Sequence, residues 1–361
     1  MTQTVQAEMQ ASDNIGANLI INGDMRIDQR GGAVSPGNGT YTLDRWQHIK
    51  TDAGNVTVSQ DTDVPSGSVF SNSLKVDVTT ADASVAAGDL REIRQQLEGF
   101  NTAQLLLGTA NAKQFTVSFW VKSDTKTGTM CVSLANNASD RNYLHEITIA
   151  DNNWNQYSFT VTGDTTGTWI GATNGVGLRI EFCLVSGTTY QGAADTWQAG
   201  PLRATSNQTN FMDSATNNVW ITGVKLEVGN VATTFVPDDY GTALAKCQRY
   251  YEKSYNAGVN PGSGSFASFF AGQIENTSTN GDKLPGPSYK VSKRTSATVT
   301  TYGISGTAGT FSNGGGTDLA ASSCTVNIPG TEGFVPYQNS GGNVTTTNRA
   351  CWYHWVADAE L

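Results

Sequence analysis

Val219-Trp-Ile-Thr-Gly-Val-Lys-Leu-Glu-Val-Gly229 is followed, after a short connector, by Tyr240-Gly-Thr-Ala-Leu-Ala-Lys-Cys-Gln-Arg-Tyr-Tyr-Glu-Lys253. The period changes between the two halves. Trp220, Val224, Leu226 and Val228 fall on one side while Lys225 and Glu227 fall on the other, the two-residue repeat of a half-buried strand. Beyond Phe235, Val236 and Pro237 the repeat becomes helical. Tyr240, Leu244, Cys247 and Tyr251 form one apolar stripe, with Lys246, Arg249 and Lys253 off it. Asp238 or Asp239 is placed to cap that helix by accepting from its free N–H groups. The stretch therefore reads as the last strand of one domain running into the first element of another.

Working back from that strand, the alternation persists from Asn18 to Pro237. Val56 and Val58, then Leu74, Val76 and Val78, give two strands; Phe115, Val117, Phe119 and Val121 give a third. Others follow at Met130–Leu134, Ile147–Ile149, Tyr157–Val161 and Leu178–Leu184, separated by turn-rich pieces such as Asn174-Gly-Val-Gly. Short strands with one apolar face each need a second sheet to bury it, which predicts a β-sandwich, most simply a jelly roll. Leu90-Arg-Glu-Ile-Arg-Gln-Gln-Leu-Glu suits a helix by composition, but a strand is the favoured reading.

Forward of Tyr240, the helix gives way to β patterns. Phe266–Ile274 is rich in aromatics; Val291, Ala297–Tyr302 and Cys324–Ile328 read as strands, and Arg349–Val356 closes the chain with Cys351, Tyr353 and Trp355 in alternation. Gly-rich loops at 313–316 and 340–342 lie between them. The expected fold is thus all-β: a jelly-roll sandwich, a short helix and a smaller C-terminal β-sandwich-like domain. Its divisions are a flexible or attachment arm (1–16), the jelly roll (17–237) and the C-terminal part (238–361).

Bulk properties agree. In 361 residues, charged side chains make up only 15% and glycines number 39, which suits sheets joined by many turns. The net charge of −9 without a basic stripe argues against nucleic-acid binding. No apolar run approaches a membrane span, and the first residues lack the basic head and apolar core of a signal peptide. The cysteines at 131, 183, 247, 324 and 351 are scattered and odd in number, so reduced buried thiols are expected, as in a protein made in a cytoplasm.

Several motifs together resemble bacteriophage tail-fibre and related virion proteins. There, a strand ending Gly-Val-Lys/Gln-Leu-Glu-Val-Gly closes a domain like a carbohydrate-binding module, and a Cys-Gln-Arg-Tyr-Tyr-Glu-Lys helix follows. Asn18-Leu-Ile-Ile-Asn-Gly-Asp-Met-Arg-Ile-Asp-Gln-Arg-Gly31 with Tyr41-Thr-Leu-Asp-Arg-Trp46 is similar to the opening of that domain, and Tyr353-His-Trp-Val-Ala-Asp-Ala-Glu-Leu361 to the end of such fibres. The resemblance implies a virion protein made in the host cytoplasm, a homotrimer in contact with other virion proteins, and binding to host cell-surface polysaccharide without catalysis. It also implies a structural calcium where the first loop meets the last strand, with Asn22, Asp24 and Glu227 in the comparable stretches, oxygen donors of the kind Ca²⁺ prefers. The alternatives are a head fibre, decoration or collar protein with a purely structural role, and a glycan hydrolase.

Catalytic patterns are missing from the sequence. His48, His145 and His354 lie in strand-like contexts, no Gly-x-Ser-x-Gly turn occurs, and no phosphate-binding glycine loop is present. A glycosidase needs two carboxylates about 5–9 Å apart; Glu181, Glu227, Asp195 and Glu275 exist, but nothing in the sequence pairs them. Sugar binding uses aromatic faces flanked by polar groups. Trp46, Trp120 and Trp220 read as core, whereas Trp169, Tyr190 and Trp197 fall in polar loops with Asp195, Arg203 and Asn207 close in sequence. Those six are the candidate glycan-binding residues. In the C-terminal part, Phe269, Phe270, Tyr302, Tyr337 and Trp352 suit a receptor tip or a subunit contact, and Leu244, Tyr251, Phe269, Phe270, Trp352 and Trp355 are the candidate oligomer interface.

Overall fold

The computed structural model describes residues 16–273, 282–284, 286–319, 324–327, 329–338 and 350–361. Most of the expected arm, Glu275 and the loop 340–342 lie outside them. The chain forms two compact units: residues up to 26 with 33–238 and the final residue, and residues 27–32 with 239–360.

The first unit is a sandwich of two antiparallel sheets. One has seven strands in the order β1 (Thr40–Tyr41), β2 (Trp46–Lys50), β5 (Leu90–Glu98), β10 (Val176–Ser186), β7 (Gly128–Ala135), β8 (Asn142–Ile149) and β11 (Trp197–Gln198). The other has five: β3 (Asn55–Asp61), β4 (Ser73–Thr80), β12 (Asn218–Val228), β6 (Phe115–Ser123) and β9 (Asn155–Val161). The alternating apolar residues named above meet between the sheets. Val117, Phe119, Val132, Ile180, Phe182, Ile221 and Leu226 are all fully buried in one core, with Trp46 among them. The ambiguous Leu90 segment is strand β5, since both its faces are covered in the sheet; a short helix, Gly99–Thr102, and a 3-10 turn, Ala103–Leu105, follow it.

The stretch that began the sequence reading also shows why its glycine is there. β12 pairs with β4 over Asn218–Ile221, and its register along β6 shifts between Thr222 and Lys225. Gly223 sits in this bulge at φ +62, where a Cβ would lie 2.5 Å from the Phe70 ring. Past the bulge, residues 18–24 take over the edge: Val224 N–H donates to Gly23 O (2.9 Å), Leu19 N–H to Leu226 O (2.8 Å), and the Asn18 carboxamide donates to Val224 O (3.0 Å) and accepts from Leu226 N–H (3.0 Å).

The second unit is built around β20 (Ala350–Asp358). It pairs antiparallel with β13 (Tyr251–Lys253), β14 (Phe270–Gln273), β16 (Thr298–Tyr302) and β17 (Ser312–Asn313). A small sheet of β15 (Asp282–Lys283), β19 (Val335–Gln338) and β18 (Cys324–Asn327) completes it. Cys351, Tyr353, Trp355 and Ala357 face a core shared with Phe311, Phe334 and Tyr289. The helix runs Tyr240–Gln248, with the Asp239 carboxylate accepting from Thr242 N–H at 3.0 Å. It is shorter than its apolar stripe suggested. Tyr251 belongs to β13 instead, because successive tyrosines pair readily in an extended strand and β20 supplies the partner. Val291 is likewise not in a strand. Arg30 joins residues 27–32 to this unit through Asp358 (3.2 Å), Glu360 (3.1 Å) and the Tyr251 ring.

Four cysteines (131, 183, 247 and 351) are buried thiols outside any disulfide. Among the described residues no helix is long and apolar enough to cross a membrane.

Candidate functional site

Strand alternation sends Ile93 and Leu97 of β5 into the core and leaves Glu92, Arg94 and Gln96 on the outer face of the seven-stranded sheet. In the β10 register Glu181 pairs with Arg94 and Cys183 with Glu92. Two carboxylates therefore lie on neighbouring strands, but neither is open to solvent, with side-chain exposures of 1% for Glu92 and 0% for Glu181. The chain between β10 and β12 covers them. Arg203 Nε lies 3.1 Å from Glu181 and 3.5 Å from Glu92, Ser133 Oγ donates to Glu181 at 2.7 Å, and Arg94 approaches both acids from the other side (3.5 and 3.9 Å). Burial, then the neighbouring Glu181 charge, pushes the Glu92 carboxyl up to about 7. Asn207 and Thr205 hold Glu146, and Tyr190 packs on Leu90, Cys131, Cys183 and Ala204. Three of the six glycan candidates, Tyr190, Arg203 and Asn207, are thus spent on fastening this cover.

The other three come together at the far edge of the same sheet. The Trp169 ring meets Trp197 edge-on at 5.4 Å, and Trp197 lies 5.4 Å from Tyr143. Asp195 Oδ1 is 2.7 Å from His145 Nδ1 and accepts from Tyr143 Oη at 3.4 Å; burial, then the Asp195 charge, pushes the Tyr143 hydroxyl up to about 12. The Trp169 loop is pinned by a two-pronged ion pair, Arg141 Nε and Nη2 to Asp164 at 2.6 and 2.9 Å. Both indole N–H groups are committed, Trp169 to Thr166 O (3.0 Å) and Trp197 to Thr162 O (2.8 Å).

Beside Trp169 opens a cleft of about 360 Å³ lined by Thr102, Leu106, Leu107, Thr109 and Ile170. Its shape depends on Gly108, at φ +78, where a Cβ would stand 2.8 Å from Trp169 Cδ1. Leu106, at φ 53 and 41% exposed, stands at the rim. Sequence reading singled out the indole but not this opposite wall. Its signal is faint: a Leu-Leu-Leu-Gly run without strand or helix period.

The calcium set does not fit an ion. Asp24 is ion-paired with Arg26. Glu227 accepts from Thr233 (2.8 and 2.7 Å) and lies 3.2 Å from Lys225 Nζ, and the Asn22 amide donates to Asp44 O (3.0 Å). A cation already neutralises each carboxylate, so a dication would have to displace both. Among the described residues no group of three or more His, Cys, Asp or Glu could hold a metal.

Of the expected interface residues, Tyr251 and Trp355 are only 5% and 4% exposed and belong to the interior of the second unit, which corrects their assignment to a surface. Phe270 packs on the same core, 5.4 Å from Tyr353. Phe269 pairs with Trp352 at 5.2 Å, both half-buried, and Leu244 is half-buried on the helix.

No protein-family model matches the chain, and no curated protein matches it. Among solved structures it is similar to the enzymatically active domain of tailspike protein 4 from bacteriophage CBA120 (TM-score 0.33, 15% identity, 59% of this chain and 21% of that one). It is also similar to a CBM4 protein (TM-score 0.31, 16% identity, 58% and 98%) and to the CBM22-1 xylan-binding domain of Paenibacillus barcinonensis Xyn10C (TM-score 0.30, 7% identity, 61% and 99%). The match spans about a fifth of that tailspike domain's length.

Proposed function

We propose that this chain is a non-catalytic, glycan-binding part of a phage virion appendage, and that the Trp169 cleft holds a sugar of the host surface. The cleft carries the reading. A half-buried indole held rigidly by Thr166 and Trp197 borders an opening of about 360 Å³, and a rigid ring beside an open cleft suits the C–H face of a pyranose. The enclosure of Glu92 and Glu181 favours binding over hydrolysis, because a glycosidase acid pair has to reach the scissile bond. A single such site with a Kd near ~1 mM supplies only about −4 kcal/mol, so several copies on one appendage are required for firm adhesion. A homotrimer, with the Phe269–Trp352 pair at its contact, meets that need; light scattering that gives a monomer mass removes it.

The test is binding of purified protein to host cells, competed by extracted surface polysaccharide. Trp169→Ala is expected to weaken binding about tenfold while the melting temperature moves little. Cell binding that polysaccharide does not compete for, or that Trp169→Ala leaves intact, points to a purely structural virion role. Release of reducing ends from the polysaccharide points to a hydrolase.

A further inference from the structure

We propose that the second unit carries its own saccharide pocket, distinct from the Trp169 cleft, on the face of the helix Tyr240–Gln248. The inference takes its ligand class from the function proposed above, but its residues are all different. Every wall of a cavity of about 430 Å³ belongs to the second unit, a size within the usual range of ligand sites. Tyr240, Leu244 and Gln248 line it at four-residue spacing, so one helix face runs along it. Asp28 and the exposed Lys290 also line it.

The gradation along that face argues for a ligand. Tyr240 is 52% exposed, Leu244 half-buried, and Gln248 only 6% exposed. A side chain so enclosed normally spends its carboxamide on the protein, whereas Gln248 lines the cavity and keeps its carboxamide accessible there. An accessible carboxamide on the cavity wall offers a bound group both a donor and an acceptor. The Lys290 ammonium is exposed and has no partner among the described residues. Asp28 accepts from Gly31 N–H at 2.7 Å, and burial holds its carboxyl above the ordinary range. By contrast Lys253, at the base, is committed to the carbonyls of Ala257 (3.2 Å) and Val259 (2.9 Å).

An open tyrosine ring, an aliphatic strip, a carboxamide that offers both a donor and an acceptor, and a carboxyl make a consistent set. They suit a ring compound with an apolar C–H face and several hydroxyls, which describes a pyranose unit. They do not suit a lipid chain, which would cover the Gln248 carboxamide and the Asp28 carboxyl with hydrocarbon.

Saturation-transfer NMR on the full chain, with methyl glycosides of glucose, galactose, N-acetylglucosamine and glucuronic acid as probes, tests this. The expected result is transfer to ring protons of at least one glycoside. Read in the Trp169→Ala background, so that the cleft of the first unit does not contribute, that transfer should be retained, and should weaken about tenfold or more when Gln248→Leu or Tyr240→Ala is added. Tyr240→Ala guards against misfolding, since its ring is half in solvent. Preference for the glucuronide that Lys290→Met abolishes identifies an anionic sugar; indifference to Lys290→Met identifies a neutral one. Absence of transfer from the whole panel overturns the pocket, as does transfer unchanged by both helix variants. Glycoside binding through Gln248 by a protein that binds no host polysaccharide would overturn the Trp169 reading and leave this one standing.

Discussion

The two units reach stability by different routes. In the sandwich, inward residues from many strands share one aliphatic and aromatic core, and a second set of buried groups, Glu92, Glu181 and Arg203, lies under a covering segment outside it. In the second unit one strand dominates. β20 pairs with four others, and its Tyr353 is fully buried among Phe270, Phe311 and Phe334. A distributed core tolerates the loss of one side chain better than a core gathered on one strand. Its weak point lies outside the apolar layer, where charges survive burial only because each has an opposite neighbour.

That contrast is open to direct attack. The largest effect is expected from Tyr353→Ala, which should destabilise the second unit by about 3–5 kcal/mol. Hydrogen exchange should rise across β13, β16 and β20 and stay unchanged in β6 and β12. Exchange rising equally in both units would break the comparison. Arg203→Met comes next: it leaves two buried carboxylates with only the more distant Arg94 and Arg179 charges and should cost about 3 kcal/mol, read by denaturant midpoint. The double variant with Glu181→Gln should recover part of that loss, and a failure to recover would mean that Arg203 acts only by packing.

A smaller effect sharpens the picture through pH. Glu92 is raised to about 7, so the folded state holds its proton more tightly and this group's contribution falls as pH rises from about 4.5 to 7. His48 is lowered to about 4 by burial, then by the charge of Arg91, so its contribution rises with pH between about 4 and 6.5. The two slopes oppose each other. Glu92→Gln should therefore leave a sandwich whose stability climbs with pH over that window, while His48→Asn should leave one that declines; urea melts at a few pH values decide it. The smallest effect is local to the second unit: Asp239→Ala removes the helix cap and should cost about 1 kcal/mol by thermal melt, with unit 1 unmoved.

Much of this was legible beforehand. The inward stripes of β6, β10 and β12 are written in period two, and the Asp239 cap and the Cys351-Tyr353-Trp355 alternation follow from neighbours in the chain. The site was only half legible. Trp169, Asp195 and Trp197 do gather, but Tyr190, Arg203 and Asn207 look the same in sequence and perform a different task. Nothing near Arg203 announces that its partners stand on β5 and β10, over a hundred residues away in the case of Glu92. The helix end was misjudged for a similar reason, since Tyr251 leaves the helical stripe to join a strand from the opposite end of the chain.

What the sequence determined alone was therefore the class of architecture: alternating stripes that require two layers, followed by a short helix and a second run of strands. These are local properties, set by side-chain periodicity and backbone preference within a few residues. The tertiary structure decided which polar groups are sealed and which remain available, why Glu181 is enclosed while the Gln248 carboxamide faces a cavity. Burial is a property of segments that meet in space, and a side chain's own neighbours in the chain carry no record of what will come to cover it.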